Sequence, residues 1–326
     1  MKRICEERPT TTKKEITKMS KKKSTVFREM LSKRGVIVMP GAYDALSAKL
    51  VESAGFETII HTGYGTAASL LGVPDIGLVS FKEMVDRASS IARAVNIPVI
   101  GDSDTGYGNA INAYRTVKEY IWGGLAGLFM EDQVWPKRCG HMFGKQIISK
   151  EEMVGKIKAA VDSRNEEDPD FVIGARTDAI AVNGIDEAIE RGKAYSEAGA
   201  DYVFIEAYED IKQMERAVKE VKAPLMLNLI EGGKTPLVSV KEAEEMGFKI
   251  VIFPLTTLYA ATKGMYDVLA ILKKEGSAKP YLDRLIAFSD FAKVVDVKGM
   301  RRLEEKYLSE KMLGEKYKGK SPSEVI

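Results

Sequence analysis

The chain reads as an α/β protein built as a TIM (β/α)8 barrel with extra C-terminal helices. Short β-branched runs recur eight times from residue 36 onward, amphipathic stretches separate them, and no G-x-G-x-x-G follows the first run, as a dinucleotide-binding open sheet would require. The runs are "VIVMP" at 36, "TIIHTG" at 58, "PVIGDSD" at 98, "GLFMED" at 127, "FVIGARTD" at 171, "YVFIEA" at 202, "PLMLNL" at 224 and "IVIFPL" at 250. They are nearly continuous in apolar residues rather than alternating, which marks strands buried on both faces and hence a parallel sheet. Eight strands are also enough to close a cylinder that side chains can fill.

The segments between the runs carry helix signals. "AYRTVKEYIWGG" is amphipathic, and "SKEEMVGKIKAAVDSR" opens with Ser149-x-x-Glu152, the pattern of a capping box. "SAGF", "EAGA" and "EMGF" recur just before strands, where a glycine ends one helix before the next strand begins. Beyond residue 275, "LDRLIAFSDFAKVVD" and "MRRLEEKYLSEKML" exceed what a barrel needs, and their apolar stripe calls for a partner subunit. The expected organisation is a basic, disordered or partly helical tail over residues 1–24, a catalytic barrel over 25–295 and a helical extension over 296–326.

Composition narrows the function. At 326 residues with 45% hydrophobic and 29% charged residues, the chain has the make-up of a soluble globular protein. A net charge of +2 gives no reason to expect nucleic acid or an anionic membrane as partner. No run reaches the ~20 apolar residues of a membrane helix. The basic start contains Glu6, Glu7 and Glu15 and lacks an apolar core, so a secretory leader is not expected. Two cysteines, Cys5 and Cys139, fit a reducing, cytoplasmic setting.

In a barrel, chemistry gathers at the carboxyl ends of the strands. Here those ends carry "TGYG", "DSDTGYG", "EDQ", "RTD", "EA" and "NLIEGGKTP". Asp102 and Asp104, two apart on a strand, are expected to point to one face, and Glu131 ends the neighbouring strand. Each aspartate taken singly also reads as a cap or turn residue; the convergence with Glu131 and Arg176 favours a site. Three unpaired carboxylates this close would repel unless a cation neutralises them, and Mg²⁺ fits best because it keeps its waters and uses few direct carboxylates. Arg176 is placed to pair with them or to clamp a substrate carboxylate. Backbone N–H groups of Gly63 and Tyr64 are placed to bind a second one, which points to a small di- or tricarboxylic acid. His61 reads as a buried, hydrogen-bonded residue rather than a ligand. In "EDQVWPKRCGHMFGK", Cys139 lies among Lys137, Arg138 and His141 on a loop with Gly140 and Gly144, a cationic setting expected to favour thiolate while the loop is open, although a thiol is required once it closes.

Together "PGAYDALSA", "TGYGTAASLLGVPD", "GDSDTGYG", "EDQVWPKRCGH", "ARTDA" and "NLIEGGKTP" resemble the isocitrate lyase and phosphoenolpyruvate mutase superfamily over about residues 27 to 295. "KRCGH" looks like the branch that breaks carbon–carbon bonds, nearest to the 2,3-dimethylmalate lyases and petal death proteins, with methylisocitrate lyases as neighbours. The resemblance implies that Asp102 binds Mg²⁺ (Mn²⁺ as a substitute) directly, with Asp75, Asp104 and Glu131 holding its waters. It implies that Thr62, Gly63, Tyr64, Gly140, His141, Arg176, Glu206 and Asn228 surround the substrate, and that Cys139 is the acid on a closing loop. It further implies a homotetramer, a dimer of dimers with the eighth helix swapped between subunits. Thr62 stands where the family usually has Ser, and Ile60 where methylisocitrate and isocitrate lyases tend to carry Tyr.

The reaction implied is a retro-aldol cleavage of a 2-hydroxy dicarboxylate of the 2,3-dimethylmalate or 2-alkylmalate type to pyruvate and a carboxylic acid such as propionate. The substrate hydroxyl chelates Mg²⁺ and loses its proton, pyruvate forms, and Cys139 protonates the departing carbanion. Tyr43, Glu206 and a metal-bound water are candidate bases, and His141 is expected to help set the state of Cys139. The alternatives are methylisocitrate cleavage to pyruvate and succinate, or oxaloacetate hydrolysis; phosphonate chemistry and a non-catalytic binding role fit less well.

Overall fold

A computed structural model describes residues 21–318, 320 and 321; residues 1–20 of the expected tail lie outside the described residues. The eight expected runs form strands β1 (Ile37–Ala42), β2 (Ile59–His61), β3 (Val99–Asp102), β4 (Gly127–Glu131), β5 (Val172–Thr177), β6 (Tyr202–Ile205), β7 (Leu225–Asn228) and β8 (Ile250–Phe253). They pair in parallel in sequence order, and β8 closes on β1 with Ile37 opposite Ile250 and Pro40 opposite Phe253. The cylinder expected from the sequence is therefore closed.

Two apolar layers hold it. Inside the barrel, Met39, Ile60, Ile100, Phe129, Tyr202, Phe204, Met226 and Ile250 form one buried cluster. Outside, alternate strand residues such as Ile59, Val99, Ile173, Val203 and Val251 pack against the surrounding helices. Burying each large aliphatic side chain contributes roughly 1.5–3 kcal/mol, so these layers supply most of the drive to close the sheet. The helix Lys23–Ser32 begins inside the segment read as tail. It buries Phe27 against the interior cluster and is tied down by Ser24 Oγ to Asp168 (2.7 Å) and Arg28 to Asp201 (2.9 Å).

Local signals place the helices. Asn109 caps Ala110–Gly123, which ends at Gly124 in the left-handed region (φ 89°). Ser149 caps Lys150–Glu167 by accepting from the Glu152 N–H at 3.1 Å. The chain divides into two compact units at Tyr259/Ala260. In the second, the stretch expected as one helix from 282 is broken: a 3-10 turn spans Lys279–Arg284, Leu285 and Ala287 are extended, and helices follow at Phe288–Val294, Val297–Tyr307 and Glu310–Tyr317.

Interior packing pairs small with large across neighbouring strands. Gly174 of β5 stands opposite Tyr202 of β6, and a methyl group at 174 would lie 2.2 Å from the Tyr202 ring. Gly174→Ala should therefore destabilise the fold by roughly 1–3 kcal/mol, the usual cost of overpacking. Urea denaturation with an unshifted midpoint would show that the ring moves aside freely.

Candidate active site

The carboxyl ends of the strands open on a cavity floored by Ile60, Phe129, Phe204 and Ile252. Asp102 is the last residue of β3 and Glu131 the last of β4; both are buried. Asp104 is not on the strand, as the spacing argument assumed. It lies in the following turn with φ 47°, a left-handed conformation that aspartate tolerates, and so reaches the same mouth by a different route. The turn Thr62–Gly65 sits against Asp102: the Gly63 N–H donates to Asp102 Oδ2 at 3.2 Å, and the Thr62 hydroxyl accepts from Gly65. A Cβ at Gly63 would fall 2.7 Å from that oxygen, so glycine is what lets the backbone approach. The Gly63 N–H read as a substrate anchor is thus already spent on Asp102.

Lys137, read from the sequence only as a cationic neighbour of Cys139, is a member of the site. Its buried ammonium lies 2.7 Å from Asp75 Oδ1 and 2.7 Å from Asp104 Oδ1. Burial alone would lower its pKa, but Asp104 and Asp75 hold it well above the lysine range. The carboxylates are accordingly not unpaired. Arg176 is also committed: it makes a fork to Asp178 at 2.9 and 3.2 Å, lies 3.2 Å from Glu131 and 3.3 Å from Glu206, and stacks over the Phe204 ring at 5.0 Å. Burial pushes Asp178 up, yet Arg176 and Lys145 reverse this and hold it below the carboxylate range. Arg176 is therefore a fixed positive wall rather than a free clamp.

The loop from Val134 to Gln146 is folded over this mouth. The Cys139 N–H donates to the Asp75 carbonyl at 3.0 Å, and the Gln133 amide both donates to the Arg138 carbonyl (2.8 Å) and accepts from the Arg138 N–H (2.9 Å). Gly140 rests directly on the site, for a Cβ there would lie 2.4 Å from Glu206 and 2.5 Å from Arg176. His141 Nδ1 accepts from the Lys234 N–H at 2.8 Å, which places the ring proton on Nε2, 3.1 Å from Glu206 Oε1. Glu206 is further gripped by Asn228 (3.0 Å) and the Ala207 N–H (2.8 Å); burial raises its pKa, but Arg176 and His141 pull it below the ordinary value. A carboxylate held this way is a poor base.

Cys139 lines the cavity, and burial pushes its thiol up to about 11. The His141 backbone N–H and Arg176 act against this, while Asp75 and Glu206 add to it. The direction accords with the thiol expected once the loop lies over the site, and the basic neighbours credited with favouring thiolate are turned elsewhere, Lys137 to Asp75 and Asp104, while acidic groups face the sulfur. His141 acts on Cys139 through its backbone. Tyr64 also lines the cavity, hydrogen-bonded to Tyr259, a residue sequence reading missed. Tyr43 is not on the cavity wall; its backbone N–H bonds Ser47 and it lies behind the 62–65 turn. His61 is buried and bonded to Thr66 at 2.9 Å, and burial lowers it to about 3, so it is neutral.

The residues fit a divalent cation. Asp75, Asp102, Asp104, Glu131, Asp178 and Glu206 outnumber the cations at the mouth, Lys137, Lys145 and Arg176, two to one, while the buried Arg191 is paired with Asp132 and the buried Lys156 donates to the Thr105 carbonyl. Glu131 Oε1 is buried with no hydrogen-bond partner, and burial raises Glu131 well above the carboxylate range. Among the described residues no three His, Cys, Asp or Glu side chains converge as a direct ligand set. That combination suits an ion bound by one carboxylate and its own waters, as Mg²⁺ is, better than a closed all-protein cage.

A family profile described as phosphoenolpyruvate phosphomutase matches residues 27–273. The chain is 49% identical over 281 residues to 2,3-dimethylmalate lyase of Eubacterium barkeri, covering 86% of this chain and 96% of that protein. Among solved structures, oxaloacetate acetylhydrolase in complex with 3,3-difluorooxalacetate matches with a TM-score of 0.84 at 37% identity, covering 87% of this chain and 97% of that one. Phosphonopyruvate hydrolase in complex with oxalate and Mg²⁺ matches with a TM-score of 0.80 at 32% identity, covering 89% and 100%. With the profile spanning most of its length and close relatives matched almost end to end, the chain belongs to the phosphoenolpyruvate mutase/isocitrate lyase superfamily of enzymes.

Proposed function

We propose that this carbon–carbon lyase cleaves a 2-hydroxy dicarboxylate of the 2,3-dimethylmalate or 2-alkylmalate type to pyruvate and a carboxylic acid such as propionate. The observation that carries the reading is the Cys139 thiol, on the loop folded over the mouth, lining the same cavity as Asp102 and Arg176, with burial pushing its pKa up to about 11. Asp102 is the proposed direct ligand of Mg²⁺, with Asp75, Asp104 and Glu131 holding its waters; the bound ion would offset negative charge developing on substrate oxygens.

The chain's own residues supply the rest. Arg176 keeps a positive wall beside the departing carboxylate. The bond between the hydroxyl-bearing carbon and its neighbour breaks, the hydroxyl proton leaves to a base, and the Cys139 thiol gives its proton to the departing carbon. Glu206, held by Arg176, Asn228 and His141, serves to orient rather than to accept that proton. The loop folded over the cavity, with Gly140 resting on Glu206 and Arg176, would limit the access of competing water. Ile230 and Leu255 supply an apolar wall that fits an alkyl substituent, whereas Phe253 packs into the outer layer.

Oxaloacetate hydrolysis is the second reading, supported by the match to oxaloacetate acetylhydrolase. A non-catalytic role is disfavoured because Asp102, Cys139 and Arg176 line one cavity, with Glu131 3.2 Å from Arg176. A homotetramer with a swapped helix is supported by the exposed Tyr266, Leu269, Ile286, Phe288, Met300 and Tyr307 of the second unit. A cytoplasmic setting accords with the free Cys139 thiol; among the described residues no helix is long and apolar enough to cross a membrane.

A pyruvate-release assay with Mg²⁺ against 2-alkylmalates, methylisocitrate, isocitrate and oxaloacetate should give its highest kcat/KM with a 2-alkylmalate; oxalate and acetate as the main products from oxaloacetate would transfer the assignment to hydrolysis. Cys139→Ser should leave a folded protein whose turnover falls by about a hundredfold or more, the scale of a lost general acid; undiminished turnover removes the thiol from the reaction. Asp102→Ala, or EDTA treatment of the wild type, should abolish cleavage, and indifference to both would remove the metal from the site.

A further inference from the structure

The loop over the cavity carries two buried lysines with different destinations. Lys137 faces Asp75 and Asp104 and belongs to the site already described. Lys145 does not line the cavity, yet its side chain is 1% exposed. Its ammonium donates to the Gly140 carbonyl at the tip of the loop and to Asp178 Oδ1 (2.8 Å) at the barrel rim.

Both ends of this bridge are anchored. The Asp178 N–H donates to Asp132 Oδ1 at 3.0 Å, and Asp132 is itself held by Arg191 (3.0 Å) and by the Tyr195 hydroxyl (2.7 Å). Asp178 also takes the Arg176 fork, so its carboxylate is a fixed post. Gly140 has no room for a Cβ above Glu206 and Arg176, so its carbonyl has one seat when the loop is down, and Cys139 is the adjacent residue. An ammonium sealed from water gains from its two partners only while both are in place. We infer that Lys145 is a positioning residue: it latches the loop by joining the Gly140 carbonyl to Asp178, and it brings the Cys139 thiol to the reacting carbon only while that bridge is made. Its kinetic consequence rests on the lyase reading, but its effect on the loop does not.

The test uses the full chain with Mg²⁺ in a Cys5→Ser background, in which Cys139 is the only thiol. Lys145→Met should raise the rate of Cys139 alkylation by iodoacetamide roughly tenfold or more, the scale of one lost charge-assisted hydrogen bond. With 2,3-dimethylmalate, kcat should fall by a similar factor while KM stays within about threefold, because the substrate's ground-state contacts are untouched. Lys145→Gln, which keeps a donor for Gly140 without the cation for Asp178, should fall between the two. A merely structural lysine would lower the melting temperature but leave alkylation and kcat per folded enzyme unchanged, and that result overturns the latch. Misfolding of both variants overturns it too, since it assigns Lys145 to the stability of the barrel. A wild type inactive on every acid tested would defeat the lyase reading, and the alkylation contrast would still decide the latch.

Discussion

The mouth of this barrel gathers more negative charge than its own cations can neutralise, and the remaining features of the site follow from that surplus. Two like charges about 4 Å apart repel by about 4 kcal/mol at the effective dielectric of a protein near its surface, and more where water is excluded. Asp75, Asp102, Asp104 and Glu131 meet within this mouth, with Asp178 and Glu206 close behind Arg176. The protein answers part of the repulsion with Arg176 from β5 and part with Lys137, which arrives on the loop. The seat of the loop is therefore electrostatic as well as steric: where it lies over the mouth, it holds a buried ammonium between two carboxylates. What remains unbalanced, above all the unpartnered oxygen of Glu131, matches the charge and hydration habits of a small divalent ion.

The barrel makes the crowding affordable. Strand pairing in sequence order sets Asp102, Glu131 and Arg176 on successive strand ends, with Glu131 directly opposite Arg176 in the sheet register. Phe129 and Phe204 meet edge-on at 5.5 Å beneath them, which gives Arg176 an aromatic face to lie on and keeps water from below. The carboxylate positions are thus fixed by backbone hydrogen bonds and by a packed apolar floor, so the site does not relax to relieve its charge.

Much of this was legible in the sequence. The eight apolar runs, Asp102 and Glu131 at strand ends, Arg176 and the Cys139 loop all stand where periodicity and strand-end logic placed them, because those features are local. What could not be read is which charge faces which. Lys137 is two residues from Cys139 along the chain, yet its ammonium is turned to Asp75 and Asp104, and the positive charge credited to the thiol is spent elsewhere. Asp178 and Lys145 escaped notice because their importance lies in a contact between residues 33 apart. "RTD" was read for its arginine, and its aspartate turned out to be the arginine's principal partner. Burial, the largest cause of the thiol's shift, has no signature in the residues flanking a cysteine.

On the proposed reading, the same surplus explains why the acid would be a thiol that stays protonated. A thiolate at Cys139 would be one more negative charge beside Asp75 and Glu206 in a buried region, a penalty that Arg176 and the His141 backbone N–H oppose without overcoming it. On that reading, Cys139 holds its proton until a stronger base appears, and a carbanion on the substrate is such a base. Once the proton is given, the thiolate left behind is disfavoured for the same reason. On the proposed reading the loop thus carries both the acid, Cys139, and the buried setting that keeps it protonated, and the charge surplus at the barrel mouth links the two.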